Sequence, residues 1–205
     1  MTIETSNQNP PAPSVAIIIA AYNAEATIAR AINSALAEPD VTEVIVVDDA
    51  STDGTVVCAR RLDDGTGRLK IIQQSPNAGP SAARNRALAE SRSDWIGILD
   101  ADDFFLPGRI KGLVYFAAEA DLIADDLWQA PEDQVGDRRR LLGESLAGPR
   151  KVGFKEFVLS NISDPRRQRG ELGFIKPLMR RSFLDDKAIR YQEHMRLGED
   201  YELYA

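Results

Sequence analysis

The chain has 205 residues, of which 43% are apolar, enough to bury the core of one domain. Its 25 lysines and arginines against 32 aspartates and glutamates give a net charge of -7, which excludes an extended electrostatic footprint for nucleic acid. The single cysteine, Cys58, excludes an internal disulfide; no Cys/His cluster has zinc-site spacing, and a reducing cytoplasm is the expected home.

The stretch Met1 to Ser14 is polar, carries Pro10, Pro11 and Pro13, and lacks the basic and apolar regions of a signal peptide. Residues 1–13 read as a flexible lead-in. Val15 to Ala21 is a short apolar run rich in β-branched residues, the pattern of a strand covered on both faces. It is far too short to span a bilayer, so any membrane contact is expected to be peripheral. Within Ala24 to Ala37, Ile28, Ala31, Ile32, Ala35 and Leu36 share one helical face, and Pro39 follows where a helix would stop.

Val44 to Val47 repeats the buried-strand pattern and ends in Asp48-Asp49, after which Ser51 or Asp53 can cap a helix running towards Leu62. Arg68 to Gln73 reads as a third strand. Asn77-Ala78-Gly79-Pro80 is a turn into a helix from about Ser81 to Glu90, and Trp95 to Leu99 is a fourth strand ending at Asp100-Ala101-Asp102-Asp103. Alternating strands and helices predict an α/β fold with a mostly parallel sheet and right-handed crossovers. Pro107 to Leu142 starts as helix and is interrupted by the charged stretch Glu132 to Arg140, which reads as a solvated face or loop. Leu172 to Met179 reads as a strand broken by Pro177, and Asp200 to Ala205 as the opening of a helix.

In parallel sheets of this kind ligands lie beyond the carboxyl ends of the strands, and here two strands end in carboxylates. Asp100 and Asp102, two apart, can project to one side, where a hard divalent ion bridging them to diphosphate oxygens would relieve their repulsion. The bland alternative is turn and cap residues. Asp49 can accept from a nucleobase N–H or a ribose hydroxyl, or cap a helix. Tyr22 can stack on a base or pack at a rim. Arg84 and Arg86 both start the third helix, and spacing does not choose between them.

The strings IIIAAYNAEATIARAINSAL (17–36), VIVVDDASTDGT (44–55), NAGPSAARNRAL (77–88), WIGILDADDFFLPGRI (95–110) and LGEDYEL (197–203) resemble, in order, the motifs of family 2 glycosyltransferases. The likeness is dense over residues 14–111 and thin from 112 to 205. It implies a GT-A fold, a Rossmann-like αβα sandwich over residues 14–205, with the nucleotide-sugar half at 14–111 and the acceptor part after it. It further implies a nucleoside-diphosphate-sugar donor, a UDP-sugar above all, Mn2+ or Mg2+, and inversion at the anomeric carbon.

By position, the resemblance puts Ala21, Tyr22 and Glu25 in the segment lining the base and ribose pocket and makes Asp49 the base contact. Gly79 and Arg84 fall in the donor-binding turn and helix, Asp100 near the ribose, and Asp102 at the metal. Asp200 matches the catalytic base, the group that takes the acceptor hydroxyl's proton. On general grounds Glu199 can substitute for it, and acidic residues also favour a helix start without catalysis. His194, the only histidine, reads more readily as an ordinary surface or packed residue than as a second metal ligand or base.

Similar proteins include bacterial enzymes that assemble exopolysaccharide, which makes a glycan or lipid-linked acceptor at the inner face of the cytoplasmic membrane the expectation by analogy. Two other classes stay open. A nucleotidyltransferase would carry a glycine-rich basic loop after the first strand, which AAYNAE is not. A noncatalytic nucleotide-sugar binder would keep binding without transfer; the family continues past the Glu-Asp motif, whereas this sequence ends five residues after Asp200.

Overall fold

A computed structural model of the chain describes residues 12–130, 138–142, 148–162, 172–195 and 197–205. Four strands, β1 (Val15–Ala21), β2 (Val41–Asp49), β3 (Leu69–Gln74) and β4 (Trp95–Ile98), pair in parallel in the order β3-β2-β1-β4. Two short strands, β5 (Leu122–Ile123) and β8 (Leu178–Arg180), extend the sheet beyond β4 to the order β3-β2-β1-β4-β8-β5, and both of their pairings are antiparallel. A separate ribbon pairs β6 (Trp128–Gln129) with β7 (Arg139–Arg140). The expected mostly parallel α/β sheet is present.

Side chains alternate along a strand, and here both faces are covered. Ile17, Ile19, Val44, Val46 and Trp95 join Ile28, Ala31, Ile32 and Ala35 of helix α1 (Ile28–Leu36) in one core. Ala16, Ile18, Ile45, Val47, Ile96 and Ile98 join Ala83, Ala87 and Leu88 of helix α3 (Pro80–Glu90) in the other. Burying each isoleucine contributes about 2 kcal/mol, so the two cores fix which face of the sheet meets α1 and which meets α3.

Several boundaries differ from the sequence-based expectation. Ala24 to Thr27 forms a turn, because the side chains of Ser51, Asp53 and Thr55 pin the β1–α1 loop before α1 can start. Asn23 N–H donates to Ser51 Oγ at 2.9 Å, Ala24 N–H to Thr55 Oγ1 at 2.7 Å and Glu25 N–H to Asp53 Oδ2 at 3.1 Å. Helix α2 (Thr55–Arg60) is capped at Gly54, not Ser51 or Asp53, although Asp53 Oδ1 still accepts from Thr55 N–H at 3.0 Å. The run read as one strand over Leu172–Met179 divides into a 3-10 turn, Leu172–Phe174, and β8, with Lys176 on the link just before Pro177. Proline disfavours helical backbone before it and donates nothing to a sheet, which separates the two pieces.

Helix α4 (Arg109–Val114) is shorter than the helical start anticipated after Pro107. Its first turn is held by the buried Glu38, whose Oε1 accepts from Gly108 N–H at 2.6 Å and Oε2 from Ile110 N–H at 2.9 Å. After helices α5 (Phe154–Ser160) and α6 (Arg181–Asp186), the last helix α7 (Glu199–Tyr204) opens with the acidic pair foreseen from sequence. Most of the lead-in, residues 1–11, and part of the charged stretch, residues 132–137, lie outside the described residues.

Candidate functional site

Two adjoining cavities open at the carboxyl ends of β1, β2 and β4, sharing Ala20, Tyr22 and Pro80. The first, about 270 Å³, is lined by Ala21, Asp49, Asn77 and Gly79 besides the shared residues. The second, about 460 Å³, reaches Asn23, Thr27, Arg84, Asp100 and Asp102. Carboxylates from β2 and from the end of β4 therefore face one edge, as the strand-end pattern suggested. Tyr22 stands at the shared mouth with 53% of its surface exposed.

Asp49 is buried, and its carboxylate organises the turn into α3. Oδ1 accepts from Gln74 Nε2 at 2.6 Å and Ala78 N–H at 2.7 Å, and Oδ2 from Gly79 N–H at 2.7 Å. Gly79 has φ of 93°, a left-handed conformation that costs glycine little and other residues much. A carboxylate offers about four lone-pair sites, and the described residues take three of them, which leaves one on Oδ2 at a residue that lines the cavity. Capping and ligand contact, set as alternatives in the sequence, are compatible on one side chain.

The structure separates the two arginines. Arg86 is exposed and pairs with Glu90 one turn along α3 at 2.9 Å. Arg84 is buried, and its guanidinium forks: Nη2 donates to Asp100 Oδ1 at 2.9 Å, Nη1 donates to Glu199 Oε1 at 2.9 Å and lies 3.3 Å from Asp200 Oδ1. Burial disfavours its charge, but the carboxylates of Asp200, Asp100 and Glu199 hold the guanidinium above its ordinary range, and its face lies 5.3 Å from the centre of the Tyr191 ring.

A residue not singled out in the sequence completes this cluster. Lys176 Nζ lies 2.9 Å from Asp100 Oδ2 and makes a second, very short contact to Asp200 Oδ2. Burial pulls the ammonium down and the Asp100 carboxyl up, yet the opposite charges win: Lys176 is raised and Asp100 lowered from their usual values. Asp200 also accepts from Tyr191 OH at 3.1 Å and Tyr204 OH at 3.4 Å. Burial first, then Asp200, pushes the Tyr191 phenol well up; burial, then Tyr191 and Asp200, does the same for Tyr204, so both donate as neutral groups. Asn85 grips the Tyr191 backbone on both sides, at 2.9 Å and 3.0 Å. The signal that would have found Lys176 is its place as the one charge in the apolar run Leu172–Met179.

Asp102 differs from Asp100. Its backbone carbonyl accepts from Arg30 at 2.7 Å, but no described residue donates to its carboxylate. Burial, Asp100 and Asp102 together push the neighbouring Asp103 carboxyl up, a sign of surplus negative charge at this corner. Among the described residues no three Asp, Glu, His or Cys side chains gather as a metal site. Magnesium and manganese commonly take one or two carboxylates plus substrate phosphates, so an open carboxylate in negative surroundings fits such a shared ion, not a protein-only cage.

One anticipated member stands apart. Glu25 lines neither cavity; its Oε2 accepts from Gly54 N–H at 2.9 Å, which ties the β1–α1 and β2–α2 loops together. His194 is exposed and belongs to neither cavity. No helix among the described residues is long and apolar enough to cross a membrane.

The chain is 51% identical over 93% of its length to succinoglycan biosynthesis protein ExoU of Rhizobium meliloti, and spans 56% of that relative. It thus covers little more than half of a curated relative. Among solved structures, S. aureus TarS 1-349 in complex with UDP-GlcNAc superposes with a TM-score of 0.72 at 22% identity, covering 93% of this chain and 52% of that one. Mannosyltransferase PcManGT from Pyrobaculum calidifontis, in complex with GDP-Man and Mn2+, gives 0.62 at 18% identity over 92% of this chain and 50% of its own. These likenesses establish the GT-A type of α/β fold. Residues 16–183 match the sequence profile described as glycosyl transferase family 2, and the chain belongs to that family.

Proposed function

We propose that the chain binds a UDP-sugar across the carboxyl ends of β1, β2 and β4 and passes the sugar, with inversion, to an acceptor hydroxyl. The observation that carries this reading is the meeting of Asp49, Asp100, Asp102 and Asp200, from separate stretches of sequence, around two adjoining cavities and one arginine–lysine cluster. The UDP-GlcNAc complex of TarS and the role of ExoU in succinoglycan biosynthesis support the substrate class.

The uracil enters the first cavity, where the open lone pair of Asp49 Oδ2 accepts its N–H and Tyr22 stacks on the ring. Ala21 and Gly79 give the base close access to backbone. Asp100 faces the ribose, while Arg84 keeps that carboxylate oriented from behind. Asp102 and the donor's diphosphate oxygens would hold a magnesium or manganese ion, which supplies neutralisation of the charge left on the departing UDP.

Asp200 is the base. Arg84 and two phenols occupy Oδ1, whereas among the described residues Oδ2 meets Lys176 alone, which leaves a lone pair of Oδ2 to take the acceptor's proton. The acceptor oxygen bonds to the anomeric carbon as the carbon–oxygen bond to phosphate breaks. The electron pair leaves with UDP and the proton ends on Asp200. A glycan or lipid-linked acceptor at the inner face of the cytoplasmic membrane is the partner this reading favours.

The test is Asp200→Asn. Transfer, followed as UDP release from a panel of UDP-, GDP- and TDP-sugars with Mn2+, should fall at least about 1000-fold while UDP binding persists. Asparagine keeping full transfer defeats the base assignment. A wild-type chain that binds UDP but releases none from any donor points to the noncatalytic reading.

A further inference from the structure

We infer that Lys176 is a positioning residue for Asp200, a single ammonium that ties the base to the donor-side carboxylate Asp100. The inference rests on the proposed role of Asp200. Its ground is geometric: one half-buried cation touches both carboxylates, 2.9 Å from Asp100 Oδ2 and closer still to Asp200 Oδ2.

The placement of Lys176 is itself built. Arg109 Nη2 donates to the Lys176 carbonyl at 2.7 Å, and the same guanidinium holds Asp125 Oδ1 at 2.7 Å and lies over Phe105 with 4.9 Å to the ring centre. The following Pro177 fixes the backbone on the other side. Lys176 is thus anchored to α4 and β8, on the sheet body, while Asp200 sits in the first turn of a six-residue helix whose buried residue is Leu203. The groups facing Asp200 come from α3 (Arg84), the link before β8 (Lys176), the α6–α7 loop (Tyr191) and its own helix (Glu199, Tyr204). Of the two cations, Lys176 alone contacts Oδ2, the oxygen left for the proton.

Lys176 therefore acts through Asp200, and its loss should slow transfer only where Asp200 works. In the full chain, Lys176→Met is expected to lower kcat for Mn2+-dependent UDP release from the best UDP-sugar by about 100-fold, the scale of a 1 Å misplacement. The Kd for UDP, by calorimetry, should stay within about 3-fold of wild type. In an Asp200→Asn background the same substitution should cost less than about 3-fold, because groups acting as one unit are not additive. Lys176→Arg, which keeps the charge, should recover at least about tenfold of the lost rate. If Lys176→Met does not fold by thermal melt, Lys176→Arg carries the same comparisons, with an expected loss of about tenfold.

A loss of UDP affinity matching the loss of rate would make Lys176 a donor ligand and overturn the inference. So would an undiminished effect in the Asp200→Asn background, or wild-type kcat in Lys176→Met. An active Asp200→Asn chain removes the base assignment and this inference with it. An inactive one with additive Lys176→Met removes this inference alone.

Discussion

Replacing Asp49 by asparagine tests how the turn and the proposed base site share one carboxylate. Asp49 is 3% exposed and accepts three hydrogen bonds, two of them from the backbone N–H groups that begin α3. Asparagine keeps one oxygen, which can satisfy Gln74 and Ala78, but its amide nitrogen then meets Gly79 N–H donor to donor. Losing one bond to a charged acceptor and leaving a buried N–H unpaired costs about 2–4 kcal/mol. For a chain of this size each kcal/mol moves the melting temperature by about 2–4 °C, so a fall of roughly 4–16 °C is expected in a thermal melt. The UDP affinity of the folded variant should drop about 10- to 100-fold, one charge-assisted hydrogen bond. A melting temperature within a degree of wild type would refute the reasoning about the turn. Unchanged UDP affinity would refute the base contact.

Arg84→Met should destabilise the chain by about 3 kcal/mol in urea, because it strips a buried cation from three carboxylates, whereas Arg86→Met should stay within about 0.5 kcal/mol. Equal effects would contradict the separation of the two arginines. Glu38→Ala removes the acceptor for two N–H groups of the α4 start and should cost about 2 kcal/mol without changing UDP affinity, a pairing read by melts and calorimetry together.

Stability should also follow pH at both ends. Asp100 is lowered in the fold, so its contribution is present above about pH 4 and lost as the pH falls through the lowered value. Lys176 is raised, so its contribution is full below about pH 10 and lost as the pH climbs through the raised value; the raised phenols of Tyr191 and Tyr204 add to that alkaline loss. Melts from pH 3 to 11 should show a plateau with both shoulders, and Lys176→Met should flatten the alkaline one. A flat profile to pH 11 would contradict the cluster.

Much of the fold was legible because short buried strands announce themselves locally. Val15–Ala21 has the same limits in sequence and structure, and the carboxylates at the ends of β2 and β4 fell at the expected edge. The failures were of two kinds. Ala24–Thr27 has helical periodicity but is claimed by side chains about 30 residues away, such as Asp53 and Thr55. Lys176 and Tyr191 owe their place near Asp200 to packing between α3, β8 and α7, with Arg84 meeting Glu199 across 115 positions. No local pattern encodes such a separation. A charge inside an apolar run signals that a partner exists, yet not which one.

The central claim is that acidic side chains at this sheet edge hold a divalent cation against a nucleotide's diphosphate. Calorimetric titration of UDP into the chain with Mn2+, repeated in EDTA and with Asp102→Asn, tests it most directly. The account predicts tight binding with Mn2+, at least about tenfold weaker binding in EDTA, and an Asp102→Asn chain whose affinity no longer depends on the metal. No UDP binding in Mn2+, or an Asp102→Asn chain with undiminished metal dependence, would contradict it.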